Sequence, residues 1–205
     1  MIYYDRFNSY YTESYIDQDM TTGASDYNDD SFDDEDDIYN ESVLNDIKNE
    51  YVDTNILDKI SLRPATISDV DMMTDMEFDS ILDGYPRDLS DDELVNIKRS
   101  VKQDAKESVW KTRMIMFKNK TIGMLTAYEL KGYWYIGELY ILEEYRGNGI
   151  GTMLLKNEIN AHDRLSLNVY KRNIRAIRLY KSLGFVVSIE TETTLFMTLT
   201  KDKIK

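Results

Sequence analysis

The stretch Glu144-Tyr145-Arg146-Gly147-Asn148-Gly149-Ile150-Gly151-Thr152-Met153-Leu154-Leu155 decides how the rest of the chain is read. An alternating apolar segment, Tyr133 to Ile141, runs into it, and apolar residues at helical spacing run out of it. Three glycines at alternate positions allow a sharp turn and leave backbone N–H groups uncovered. A helix starting there has first amides without intrahelical acceptors, and its dipole favours an anion at that end. Strand, Arg-Gly-x-Gly-x-Gly and helix therefore predict a cradle for a phosphate or pyrophosphate. The lysine-threonine ending of a P-loop is absent, and the spacing is not the Gly-x-Gly-x-x-Gly of a dinucleotide site.

Composition narrows the chemistry. The chain has no cysteine, which removes disulfides, thiolate nucleophiles and zinc–cysteine sites, and its single histidine, His162, removes a multi-histidine metal site. No metal is expected. No apolar run approaches the ~18 residues that span a bilayer. The start of the chain lacks the basic segment and apolar core of a secretory signal, so a cytoplasmic location is expected. The net charge of −13 is unevenly spread. Residues 1–58 hold 17 acidic and 2 basic side chains; residues 59–205 hold 21 and 23. The acidity belongs to a segment, and nucleic-acid binding by the body is not expected.

Two regions follow. Residues 1–58 form an acidic, Tyr- and Asp-rich extension, expected to be disordered or partner-binding. Its aromatics, Tyr3, Tyr4, Phe7, Tyr10 and Tyr11 among them, suit docking on a protein partner or on the chain's own body. Ser42 to Ile60 is expected to include a short helix. Residues 59–205 read as the folded domain. Lys59 to Pro64 is a first strand, stopped by proline. Ser68 and Asp71 mark a helix start, and Ser90 to Glu93 is a capping box before a second helix. Gly84-Tyr85-Pro86 is expected as the loop between them. Strands follow at Thr112–Lys118 and Thr121–Glu129, joined at Asn119-Lys120, and then at Tyr133–Ile141. Helix Ile150–Ala161, strand Leu165–Val169, helix Asn173–Leu183, and strands Phe185–Ile189 and Leu195–Leu199 complete the order βααβββαβαββ. This is an α/β (α+β) fold with a mixed, mostly antiparallel sheet of six to seven strands and about four helices.

Arg146-Gly147-Asn148-Gly149-Ile150-Gly151 resembles the Arg/Gln-x-x-Gly-x-Gly/Ala signature of the GNAT superfamily of acyl-CoA-dependent N-acyltransferases. A second signature follows in the right order. After Leu167-Asn168-Val169 come Asn173, Ala176, Leu179-Tyr180 and Gly184-Phe185, which resemble Asn-x-x-Ala-x-x-Leu-Tyr-x-x-x-Gly-Phe. The resemblance covers roughly Lys59 to Lys201. It implies a sheet split beside the strand before the glycines, with acetyl-CoA as co-substrate. The pantetheine arm would pair with backbone at Leu139, Tyr140 and Ile141, and Asn173 would contact the same arm. The pyrophosphate would lie on the amides of Gly147, Asn148, Gly149, Ile150, Gly151 and Thr152, with Arg146 adding charge.

The implied chemistry is direct attack of a primary amine on the acetyl thioester, with Tyr180 protonating the leaving thiolate. The oxyanion donor would be the Ile141 N–H. Glu138 is the candidate base. In an unbroken strand it shares a face with Trp134, Ile136 and Tyr140, and a bulge would change this. Some polyamine-acetylating relatives carry their glutamate where this chain has Gly137. Glu77, Asp79, Asp83, Asp88, Asp91 and Asp92 on the first two helices would favour a cationic acceptor, a polyamine, a lysine or a peptide N-terminus. The alternative is a catalytically weak or inactive GNAT-fold interaction protein, an assembly or virion component anchored by its acidic arm. A homodimer would fit the family.

Overall fold

The computed structural model describes residues 54–85 and 88–201. Residues 1–53 of the acidic extension and Pro86 of the expected loop lie outside these residues; residues 54–58 include a helical turn at Thr54–Leu57. Seven strands, β1 (Ile60–Pro64), β2 (Thr112–Phe117), β3 (Lys120–Leu130), β4 (Tyr133–Ile141), β5 (Arg164–Tyr170), β6 (Val186–Glu190) and β7 (Thr194–Thr200), form one sheet in the order β1-β2-β3-β4-β5-β7-β6. Only β4 and β5 run parallel. Four helices flank the sheet: α1 (Val70–Gly84), α2 (Asp91–Ser108), α3 (Ile150–Ala161) and α4 (Ile174–Ser182). The expected element order is the observed one.

Local chemistry sets the boundaries. The Ser90–Glu93 capping box starts α2: the Ser90 N–H donates to Glu93 at 3.0 Å, and the Glu93 N–H donates to Ser90 Oγ at 3.4 Å. The first helical start differs from the sequence reading. It falls at Thr66 and Asp69, not at Ser68 and Asp71. Asp69 accepts from the Thr66 N–H at 2.8 Å and from both guanidinium nitrogens of Arg63 at 2.7 and 2.8 Å. That bidentate pair holds the Asp69 carboxyl well below the usual carboxylate range. A buried acid with a strand arginine as partner outcompetes an exposed serine for the cap. The hairpin turn after β2 is Lys118-Asn119, with Lys118 at φ 56.

Helix α1 also runs through Gly84, which was expected in a loop. The cause is packing. A Cβ on Gly84 would lie 2.5 Å from the Tyr170 ring, so a glycine lets α1 press against the end of β5.

The two faces of the sheet differ in composition. Toward α3 and α4 lies an aliphatic core that includes Ile115, Leu125, Ile136, Leu154, Leu155, Leu167 and Met197. Toward α1 and α2 lies a methionine-rich core of Met73, Met76, Met114 and Met124 with Ala105 and Tyr140. Three bulges interrupt the antiparallel register, at Ile122 in β3, at Gly137 in β4 and at Ser188 in β6.

Candidate active site

The site forms where β4 and β5 part. Their parallel pairing is limited to Trp134↔Leu165, Tyr135↔Ser166 and Ile136↔Leu167. Beyond it β4 stays paired to β3 alone. The Leu142 N–H donates to Ile122 O at 2.8 Å, toward β3. Strand groups alternate sides, so Ile141 and Leu139 turn their backbone amides to the gap. Tyr140 turns its backbone to β3, where its carbonyl lies 2.2 Å from where a Cβ on Gly123 would sit. This corrects the expectation that all three residues offer backbone to one ligand. The Tyr140 side chain faces α1 instead, its hydroxyl 3.4 Å from Asp79.

The glycine loop closes one end of the gap. Gly147 and Gly149 adopt φ 87 and 74, a region that side-chain-bearing residues rarely enter. Gly149 caps α3, whose first bond runs from the Met153 N–H to Gly149 O at 2.9 Å. The amides of Ile150, Gly151 and Thr152 precede that bond and have no acceptor within the helix. Asn148 braces the turn by donating to Tyr145 O at 3.2 Å. Arg146 points elsewhere than expected. Its Nε donates to Ile141 O at 2.8 Å, its guanidinium lies over the Tyr140 ring, and Asp83 is 3.7 Å away.

The bulge decides where Glu138 points. Thr126 pairs with Glu138 and Ala127 with Ile136, so Gly137 is the extra residue. Glu138 therefore leaves the face of Trp134 and Ile136, expected for an unbroken strand, and joins Tyr135, Tyr140 and Thr126 facing α1. There Ser80 hydrogen-bonds its carboxylate, while burial, the larger effect, pushes the carboxyl up to about 7. Glu77, one turn before Ser80, is pushed up to about 8 by burial and by the charge of Glu138. Sequence reasoning placed Glu77 only among the acids of the first two helices. Asp79 and Asp83 instead line a cleft of about 280 Å³ with Leu82, Tyr140, Glu143 and Arg146. Asp88, Asp91 and Asp92 are exposed, the last two in the first turn of α2.

Tyr180 comes to the same place from α4. Burial first, and then the charge of Glu138, push its phenol up, so the hydroxyl stays protonated. Its position is fixed by the helix end. The Gly184 N–H bonds Lys181 O and the Phe185 N–H bonds Tyr180 O, both at 3.0 Å, a Schellman closure with Gly184 at φ 95. The Phe185 ring lies 5.9 Å from the Tyr180 ring, edge-on. Asn173 caps the start of the same helix through Oδ1, which accepts from the Ala176 N–H at 3.1 Å. Its Nδ2 is the group that can donate to a ligand. The site thus gathers Glu138, Tyr180, the gap-facing amides of Leu139 and Ile141 and the glycine cradle. Among the described residues no group of three or more His, Asp or Glu side chains is arranged to hold a metal ion. No helix of the described residues is long and apolar enough to cross a membrane.

Residues 72–185 match the Acetyltransferase (GNAT) family. The chain belongs to that family. Two curated relatives share GNAT-type names: the uncharacterized N-acetyltransferase YobR of Bacillus subtilis, 31% identical over 81 residues, and the peptidyl-lysine N-acetyltransferase YjaB of Salmonella typhimurium, 37% identical over 54 residues. These matches cover 37% and 26% of this chain, and only 33% and 37% of the relatives. The GNAT fold is shared with the PaiA N-acetyltransferase of Thermoplasma acidophilum, solved in complex with coenzyme A. The TM-score is 0.58 at 17% identity, over 69% of this chain and 98% of that one.

Proposed function

We propose that the chain is an N-acetyltransferase that moves the acetyl group of acetyl-CoA to a primary amine by direct attack. The observation that carries the reading is the three-pair contact of β4 with β5. It leaves strand backbone open beside a glycine cradle, with a carboxylate and a phenol at hand. Residues 59–205 would be the transferase unit and residues 1–58 a separate extension.

In this reading the amides from Gly147 to Thr152 hold the diphosphate. The backbone of Leu139 and Ile141 pairs with the pantetheine arm, and the Asn173 amide donates to it. A ligand pairing at Ile141 competes with Arg146 for that carbonyl, and the displaced guanidinium is then available to phosphate oxygens. Acetyl-CoA supplies an activated acyl group as its thioester. Glu138 takes the proton of the incoming ammonium, directly or through a water, and frees the nitrogen lone pair. The Ile141 N–H faces the gap, where oxyanion charge develops. The Tyr180 hydroxyl, kept protonated by its surroundings, gives its proton to the departing thiolate. Acids beside Tyr140 suit an acceptor with positive charge.

Acetyl-CoA at about 100 times its Kd is expected to stabilise the protein by about 2.7 kcal/mol, a Tm rise of about 5–10 °C. Release of free CoA in a panel of diamines, lysine peptides and peptide N-termini then identifies the acceptor class. No Tm shift at millimolar acetyl-CoA would sink the reading.

A further inference from the structure

We propose that Glu77 is a positioning residue of the acetyl transfer, holding opposite Glu138 the one proton that the two carboxylates share, so that Glu138 alone serves as the base. The inference rests on the transferase reading above but reaches a residue outside its machinery. Its ground is a cluster built by two elements. One face of α1 carries Glu77 and Ser80 a turn apart. The Gly137 bulge turns Glu138 onto that face. Both carboxylates are half-buried, and the charge of Glu138 disfavours ionisation of Glu77.

The surroundings decide which one keeps the proton. Around Glu138 stand Glu77 and Ser80 from α1 and Tyr180 from α4. The Ser80 hydroxyl bonds the Glu138 carboxylate and favours its charged form. Around Glu77 stand Glu138, Asp104 of α2, and Lys111 in the turn before β2. Asp104 is a second negative neighbour and favours a neutral Glu77. Lys111 opposes this: Glu77 is the first of its charge partners, ahead of Asp104 and Glu107, and its ammonium also sits 3.8 Å over the Tyr128 ring. The hydroxyl bond on Glu138 and the second negative neighbour of Glu77 therefore favour ionisation of Glu138 before Glu77. Between the two ionisations the pair is one acid and one base. An acceptor arriving as an ammonium meets a single negative charge and can lose its proton to Glu138. Once both carboxylates are charged, the pair holds the ammonium in its protonated, unreactive form.

The test is a carboxyl ¹³C NMR titration of the full chain from about pH 5 to 10, paired with pH profiles of kcat/KM for CoA release with the panel amines. The expected result is coupled titration of Glu77 and Glu138 well above the ordinary glutamate range. Glu138→Gln should lower the Glu77 midpoint, and Lys111→Met should raise it. The wild-type profile should rise through the Glu138 midpoint and bend downward as Glu77 ionises. In Glu77→Gln the rise should remain and the bend disappear, with kcat/KM at neutral pH changed less than about fivefold. Glu77 titrating in the ordinary range in wild type, or unmoved by Glu138→Gln, overturns the proposal. So does a Glu77→Gln profile that keeps the bend. Coupled titration with no amine acetylated overturns the transferase reading while the shared proton stands; turnover without coupling does the reverse.

Discussion

Along β4, residues 134–136 have partners on both sides, while residues 138–141 have a partner on one side only. Gly137 separates the halves. The paired half is anchored to the sheet and to α3. The Trp134 indole N–H donates to Glu158 at 2.6 Å, and Arg113 of β2 bonds the same carboxylate at 2.8 Å. Glu158 is 5% exposed, and His162 stacks on the Trp134 ring at 4.0 Å. The open half carries Glu138, which has one hydrogen-bonding neighbour, Ser80, and a carboxyl that burial pushes up despite it. The two halves of one strand thus border two carboxylates put to different uses, Glu158 of α3 and Glu138 of β4 itself. Where donors converge on it, the acid fastens elements together. Where burial outweighs a single hydroxyl donor, the acid stays reactive.

The contrast can be broken at either half. Glu138→Gln should cost the most, about 10²–10³-fold in kcat/KM, or about 3–4 kcal/mol of barrier. It should also remove a charge that is costly to bury. A carboxyl whose folded pKa is raised loses stability for the protein as pH rises from the unfolded value through the folded one. The variant is therefore expected to melt at or above the wild-type Tm at pH 8, with the gain gone near pH 4, by thermal denaturation at the two pH values. Glu158→Ala is the mirror experiment. It strands Arg113 and the Trp134 N–H, so unfolding should become easier by about 2–3 kcal/mol in urea titrations. The folded fraction should keep its kcat and its pH profile. The smallest effect belongs to Gly149→Ala. The left-handed backbone there costs about 1 kcal/mol with a side chain. The KM for acetyl-CoA should rise while kcat changes little.

The sequence made the order of elements and the glycine cradle legible because their signals are local. Alternation, capping residues and a C-terminal glycine each act within a few positions, as Ser90–Glu93 and Gly184 show. Tyr180 was legible for the same reason, since it lies four residues before the glycine that ends its helix. Glu138 was only half legible. Period-two reasoning assigns it to the face of Trp134, and nothing within β4 announces an extra residue; the bulge follows from the register with β3. Glu77 was legible as an acid on a helix but not as the partner of a strand residue about 60 positions away. The direction of Arg146 was hidden as well, because Ile141 O, Tyr140 and Asp83 come together only in the fold.

The closure at the end of α4 has a consequence for how the phenol can be damaged. Its tether is main chain: Phe185 N–H on Tyr180 O, made possible by one residue at φ 95. Position 184 touches no reacting atom. Yet a bulkier residue there would loosen the last turn and let the hydroxyl drift, so a lesion in a helix ending would be felt as a fault in protonating the thiolate.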